Sequence, residues 1–181
     1  VKAEAANVKN LDQAGEVKIV IDGGTLTVDA EGDGLDANGS IEINGGTAVV
    51  NGPTSGANAA LDYDDNGKLN GGTVLFVDNG EMTMGFGSDS SQAFLMASVQ
   101  GTAGTTVEVV DSSGKTVASL KASKAFSTVL ISSPEIKEGE KYTIKVGSNS
   151  TTATASKQAT NVGGGPGGGG RPGQGGRPGG R

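Results

Sequence analysis

Cysteine, histidine and tryptophan are all absent from these 181 residues, and Tyr and Phe together supply only six side chains. Each absence removes a class of chemistry. Without Cys there is neither a disulfide framework nor a thiol nucleophile, although the lack of Cys fits a secreted bacterial chain and a cytosolic one equally. Without His the usual proton-transfer side chain at neutral pH is missing, and a Ser or Thr with no base beside it is inert as a nucleophile. No enzyme is expected on these grounds. A hydrophobic content of 34% argues against a large conventional core. No apolar run approaches the roughly 20 residues that span a bilayer as a helix, so no membrane span is expected. No signal-peptide pattern is present either, and an exported chain would have lost its leader. The formal charge of −6 offers no basic surface to nucleic acid.

What the chain has in excess is glycine, 33 residues of it, and the glycines fall into a pattern. An apolar residue, Asp or Asn, then Gly-Gly-Thr recurs at Ile21-Asp22-Gly23-Gly24-Thr25, Ile43-Asn44-Gly45-Gly46-Thr47 and Leu69-Asn70-Gly71-Gly72-Thr73. A second phrase, Leu-Asp followed shortly by Gly, occurs out of phase with it at Leu11-Asp12, Leu35-Asp36 and Leu61-Asp62. Two interleaved ladders with a period near two dozen residues indicate a β-solenoid, in which no coil buries its own apolar face and like residues of successive coils pack along the axis. The alignment stacks Ile21, Ile43 and Leu69, then Leu26, Ala48 and Val74, then Val28, Val50 and Phe76. Polar positions stack as Asp22, Asn44 and Asn70. Three short strands and three turns per coil are expected, with extra turn residues around Pro53-Thr54-Ser55 lengthening one spacing.

The fold class expected is all-β: a short parallel β-helix of about three coils over residues 16–91, an antiparallel β module over 92–160 that could cap the open end, and a Gly/Pro/Arg-rich tail over 161–181. The arm at 1–15 reads equally as a short helix or an extended segment. In the second region the period gives way to alternating stretches at Phe94 to Val99, Thr106 to Val110, Thr116 to Leu120, Ser127 to Ser132 and Lys141 to Val146, with Asp111-Ser112-Ser113-Gly114-Lys115 as a hairpin turn. The tail carries Pro166, Pro172 and Pro178 and all three arginines, Arg171, Arg177 and Arg181. It cannot build a packed core and lacks the strict third-residue glycine of collagen. It reads either as a flexible linker or as a cationic segment that docks on an acidic neighbour.

Asp62-Tyr63-Asp64-Asp65-Asn66-Gly67 is the most chemical stretch. Oxygen-bearing side chains at alternate positions before a Gly suit a hard cation such as calcium. The run matches the start of an EF-hand loop, but Thr73 stands where the closing Glu belongs, and the flanks are strand-like. A second acidic cluster, Asp29, Glu31, Asp33 and Asp36, lies one coil earlier. Asp62, Asp64, Asp65, Asn66, Asp33 and Asp36 are therefore the candidate calcium ligands, against the plainer reading of acids that solvate a corner. Lys68 beside them reads as an ordinary ion pair. Asp36 and Asp62 could form a carboxylate pair about 4.8 Å apart by strand spacing, a separation that does not by itself indicate glycoside hydrolysis.

The phrases from Glu31 to Gly39, from Ile41 to Thr47 and from Gly56 to Asp64, with Val129-Leu130-Ile131-Ser132-Ser133-Pro134 and Tyr142-Thr143-Ile144, resemble the C-terminal part of bacterial cell-surface β-helix proteins described as carbohydrate-binding. The resemblance covers roughly residues 15–148. It implies a right-handed parallel β-helix shaped like pectate lyases that binds plant polysaccharide without cleaving it, with calcium in the turns, although members of that family have more coils. Exposed aromatics are the usual platforms for sugar rings, and Tyr63 is the candidate here. So acidic a chain suits uronic acids bridged by calcium better than neutral cellulose. The rival expectation is a self-assembling subunit of an extracellular filament or matrix, joined through open β-helix ends, the arm or the tail. Either reading places the protein at the cell surface or outside the cell.

Overall fold

The structure is a computed structural model that describes residues 1–4 and 17–159. Fifteen strands and no helix occur among them: β1 (Lys2–Ala3), β2 (Lys18–Ile21), β3 (Thr25–Asp29), β4 (Leu35–Ala37), β5 (Ser40–Ile43), β6 (Thr47–Asn51), β7 (Leu61–Tyr63), β8 (Asn66–Leu69), β9 (Thr73–Asp78), β10 (Leu95–Gly101), β11 (Thr106–Val110), β12 (Thr116–Lys121), β13 (Phe126–Ser132), β14 (Lys141–Val146) and β15 (Asn149–Thr154). The chain is thus all-β.

The first nine strands form three parallel ladders, in the orders β1-β4-β7, β2-β5-β8 and β3-β6-β9. Their register is the one that the repeat dictates. Ile21 pairs with Ile43 and Ile43 with Leu69, Leu26 with Ala48 and Val74, and Val28 with Val50 and Phe76. The 26-residue spacing of the second repeat exceeds the 22 of the first because nine residues (52–60) join β6 to β7, where five (30–34) join β3 to β4. Gly24, Gly46 and Gly72 all lie at positive φ, from 78° to 94°. That is a region open to glycine at no steric cost, and it is why the phrase ends in Gly before each Thr. The turns also bond to one another, with Thr47 N donating to Gly24 O (2.8 Å) and Thr73 N to Gly46 O (2.9 Å).

The inward residues of the ladders make one continuous cluster that includes Ile41, Ile43, Val50, Leu61, Leu69 and Val74. At its far end stand Phe76, Phe86 and Phe94, with ring centroids 5.9 Å and 5.6 Å apart along the row. The segment between β9 and β10 closes that end, since Gly87 N donates to Gly67 O (2.7 Å) and Gln92 N to Leu69 O (2.9 Å), on the free side of β8. On the third ladder β13 pairs antiparallel with β9, and β10 with β13. The later strands therefore extend one sheet to five, β10-β13-β9-β6-β3, while β12-β11-β14-β15 form a separate sheet. That second sheet packs on the outer face of the first through Leu75, Val77, Val129, Ile131, Val107, Val109, Ile144 and Val146.

The five alternating stretches read from the sequence are β10 to β14, each shifted by two residues at most. β15 has no counterpart among those stretches: its residues Asn-Ser-Thr-Thr-Ala-Thr show no apolar alternation, and it takes an edge place on β14 through six paired positions. Val1 to Glu4 of the arm are described, and Lys2 and Ala3 pair with Asp36 and Ala37. The place beside Asp36-Ala37 in the ladder is thus held by Lys2-Ala3. Leu11-Asp12, the rest of the arm and the tail at 161–181 lie outside the described residues.

Candidate functional site

Strand alternation sets the acidic corner. In β4 and β7 the flanking residues Leu35, Ala37 and Leu61 are buried, so Asp36 and Asp62 between them point outward. They pair in register, and Lys2 stands next in the same column. Lys2 Nζ lies 3.6 Å from Asp36 Oδ2 and 3.0 Å from Glu4. Burial raises the Asp62 carboxyl above its ordinary value, and the negative charges of Asp33, Asp36 and Asp64 push it further the same way. Four of the six candidate ligands thus share one electrostatic neighbourhood.

The other two stand apart. Asp65 is exposed in the turn, its amide donating to Gly39 O (2.9 Å). Asn66 turns to Asp89, which accepts from Asn66 Nδ2 (2.9 Å) and pairs with Lys68 Nζ (3.1 Å). The Asn66 and Lys68 contacts hold the Asp89 carboxyl below its ordinary value. Two other members have local work. Asp33 Oδ1 accepts from Ala59 N (2.8 Å), and Asp64 Oδ2 from Asn38 Nδ2 (3.2 Å). Among the described residues no group of three or more acidic side chains converges on one point as a metal cage would.

Tyr63 is engaged rather than free. Its hydroxyl donates to Gly85 O (2.7 Å), and its ring lies so close over Gly67 that a Cβ there has no room. The residue is half-buried against the inner cluster, and burial, with Asp89 as the lesser cause, raises its hydroxyl pKa. It fastens the closing segment to the stack, which leaves little of the ring for a sugar.

Asn38 and Asp89 belong to this region and were not singled out from the sequence. Asn38 is readable, since the 26-residue spacing places it one repeat before Asp64. Asp89 is not, because it lies beyond the last repeat. A second polar column runs along the neighbouring corner: Asn44 Nδ2 donates to Asp22 Oδ1 (2.8 Å) and Asn70 Nδ2 to Asn44 Oδ1 (2.9 Å). Ser91 N then donates to Asn70 Oδ1 (3.3 Å). Each amide gives in one direction and accepts from the other, so the column has a polarity that ends on an acceptor-only carboxylate.

No helix is long and apolar enough to cross a membrane among the described residues. No protein-family model matches this chain, no curated protein matches its sequence, and no solved structure matches its fold.

Proposed function

We propose that this chain is a non-catalytic extracellular surface protein, built on a short parallel β-helix of about three coils, that binds acidic plant or cell-wall polysaccharide at the Asp36–Asp62 corner with calcium as the bridge. The β-helix reading rests on three in-register parallel ladders with coil spacings of 22 and 26 residues. The observation that carries the binding reading is the outward acid column of Asp36 and Asp62, where burial first and then the charges of Asp33, Asp36 and Asp64 disfavour ionisation of Asp62. Between Glu16 and Ser91 there are thirteen Asp and Glu but only Lys18 and Lys68. A uronic acid would meet repulsion on such a surface unless a divalent cation lay between. Asp36 and Asp62 are the protein's donors in this reading, and glycan oxygens and water complete the shell. The test is retention on insoluble pectin and on cellulose, with calcium and with a chelator. Retention on pectin that the chelator and the double change Asp36→Asn/Asp62→Asn both abolish is expected, and no retention on either polymer would remove the reading.

The second reading, self-assembly, is favoured by one observation: β1, β2 and β3 are each outermost in their sheets among the described residues. Unpaired strand edges invite another chain. At the opposite end residues 84–92 bond to β8 at Gly67 O and Leu69 O, while β7 is also outermost in its sheet; contact between like ends closes a pair, and contact of one end with the other builds a filament. Negative-stain microscopy at high concentration separates the two readings, since uniform monomers would dismiss assembly.

A further inference from the structure

A cleft of about 360 Å³ opens beside the Asn79-Gly80 turn, where β10 and β13 run past the end of β9. Ser98, Val99, Gln100, Ser127 and Thr128 line it with Asn79 and Gly80, and no charged side chain does. Its position follows from the strand register. Asp78, Thr128 and Ser98 sit side by side across β9, β13 and β10, and the pairing of β10 with β13 shifts between Ser98 and Gly101. Such a bulge redirects side chains and is a recurrent feature of binding sites.

Thr128 is the informative residue. It is 2% exposed, yet its hydroxyl makes no hydrogen bond among the described residues. Nor is that oxygen sealed off, since no fully buried side-chain oxygen lacks a partner. What stands before it is Gly80, at φ +84°, where a Cβ would come 2.7 Å from Thr128 Oγ1. The glycine keeps open the space that the hydroxyl faces. Asp78 is already committed, accepting from Ala60 N, Gly80 N and Thr83 Oγ1. The side chains of Ser98, Gln100 and Ser127 likewise have no hydrogen-bond partner among the described residues. These groups are open to solvent on the cleft side, so each is free to exchange a water for a ligand hydroxyl at little cost.

We infer that this cleft is a binding site for an uncharged polyhydroxy ligand, namely one neutral glycosyl unit. Hydroxyls and an amide each donate and accept, which matches sugar hydroxyls. With no cation in the lining there is nothing to favour a carboxylate or phosphate. The volume is at the small end of the range for ligand sites. No aromatic ring is available for stacking, so the affinity is weak. The inference stands on residues separate from the acidic corner and survives or fails independently of it.

The experiment is an NMR titration of the isotope-labelled full chain with glucose, galactose and galacturonate. Expected are saturable shifts of the Gly80, Ser98, Gln100 and Thr128 amides with at least one neutral sugar and none with galacturonate. Thr128→Val keeps the side-chain shape and removes the hydroxyl, and Ser98→Ala does the same at the exposed wall. Each is expected to weaken binding by about tenfold with the rest of the spectrum unchanged, while Asp36→Asn/Asp62→Asn leaves the titration as it was. No saturable shift at these amides with either neutral sugar overturns the inference, as do shifts that survive in Thr128→Val or follow galacturonate instead. Calcium-dependent retention on pectin bears only on the acidic corner.

Discussion

Asp62 lies directly over Asp36 in a parallel ladder, an arrangement that places two carboxylates one strand spacing apart on the same face. Its pKa in the folded chain is raised above the ordinary 3.8, first by burial and then by Asp33, Asp36 and Asp64. The folded state therefore holds this proton more tightly than the unfolded chain does. The associated stability is fully present below pH 3.8 and is lost as the pH rises through the higher folded value. At neutral pH the ionised group works against folding, so Asp62→Asn is expected to raise the melting temperature at pH 7, with the gain shrinking as the pH falls through the raised folded value and gone below 3.8, where the carboxyl is protonated in both states. Thermal melts from pH 3 to pH 8 in chelator check this, and an equal or lower melting temperature at pH 7 would contradict it. Calcium distinguishes the roles: if a cation sits at this corner, adding it stabilises the wild-type chain and not the variant. The outward placement of Asp36 and Asp62 was readable from the Leu-Asp phrase. The shift was not, because it depends on how Asp33 and Asp64 fold back beside them.

Two connecting elements hold the stack together, and neither belongs to the repeat. The segment between β9 and β10 inserts Phe86, which is fully buried, between Phe76 and Phe94 at the end of the inner cluster. Truncating a buried Phe costs about 3–5 kcal/mol through lost transfer energy and the cavity left behind. Phe86→Ala is thus expected to lower unfolding stability by that amount in urea denaturation, whereas a loss under about 1 kcal/mol would mean that the end of the stack collapses around the gap. The connection between β12 and β13 reaches the other way along the same sheet. Lys124 Nζ meets Asp29 at 2.7 Å, Glu31 at 2.9 Å and Ala30 O at 2.7 Å, while Ser123 Oγ donates to Asp29 (2.8 Å). The Lys124 and Ser123 bonds hold the Asp29 carboxyl below its ordinary value, a contribution present at neutral pH and lost as the pH falls below 3.8. Lys124→Gln is expected to speed hydrogen exchange in β3 at low salt, with a smaller difference from wild type in 1 M salt, where screening is strong. Exchange in β3 that the substitution leaves untouched would show that the β6 pairing alone secures that strand. These clamps join residues 93 positions apart in the case of Lys124 and Glu31, and no local pattern announces them.

In the whole molecule the parallel and antiparallel strands are interdependent. β9 is shared: Val74 and Phe76 face the inner cluster, and Leu75 and Val77 face the cluster under the second sheet. Met96 and Leu130, from beyond the repeats, complete the inner cluster. A chain ending after Ser91 would uncover one edge of β9 together with Leu75 and Val77, and would lose Phe94, Met96 and Leu130. Such an edge templates association. The truncated chain is expected to lose the sharp thermal transition of the full chain and to sediment as aggregates, and a cooperative monomer would refute the interdependence. The full chain is expected to unfold in one transition with coincident far-UV and tyrosine signals.

The period of the Gly-Gly-Thr phrase determined the strand register, because its second glycine must sit at positive φ and because like apolar residues of successive repeats pair in parallel ladders. Alternation determined five of the six later strands, and it failed only at β15, which Asn149–Thr154 enters through backbone pairing with no buried stripe to mark it. What tertiary structure alone decided is where the chain closes and what remains open. Tyr63 is tied to Gly85, Phe86 fills the end, β13 covers β9, and the Thr128 hydroxyl is left facing a cleft behind Gly80. All of these depend on contacts between the repeats and segments outside them, and a periodic sequence encodes only the contacts that recur.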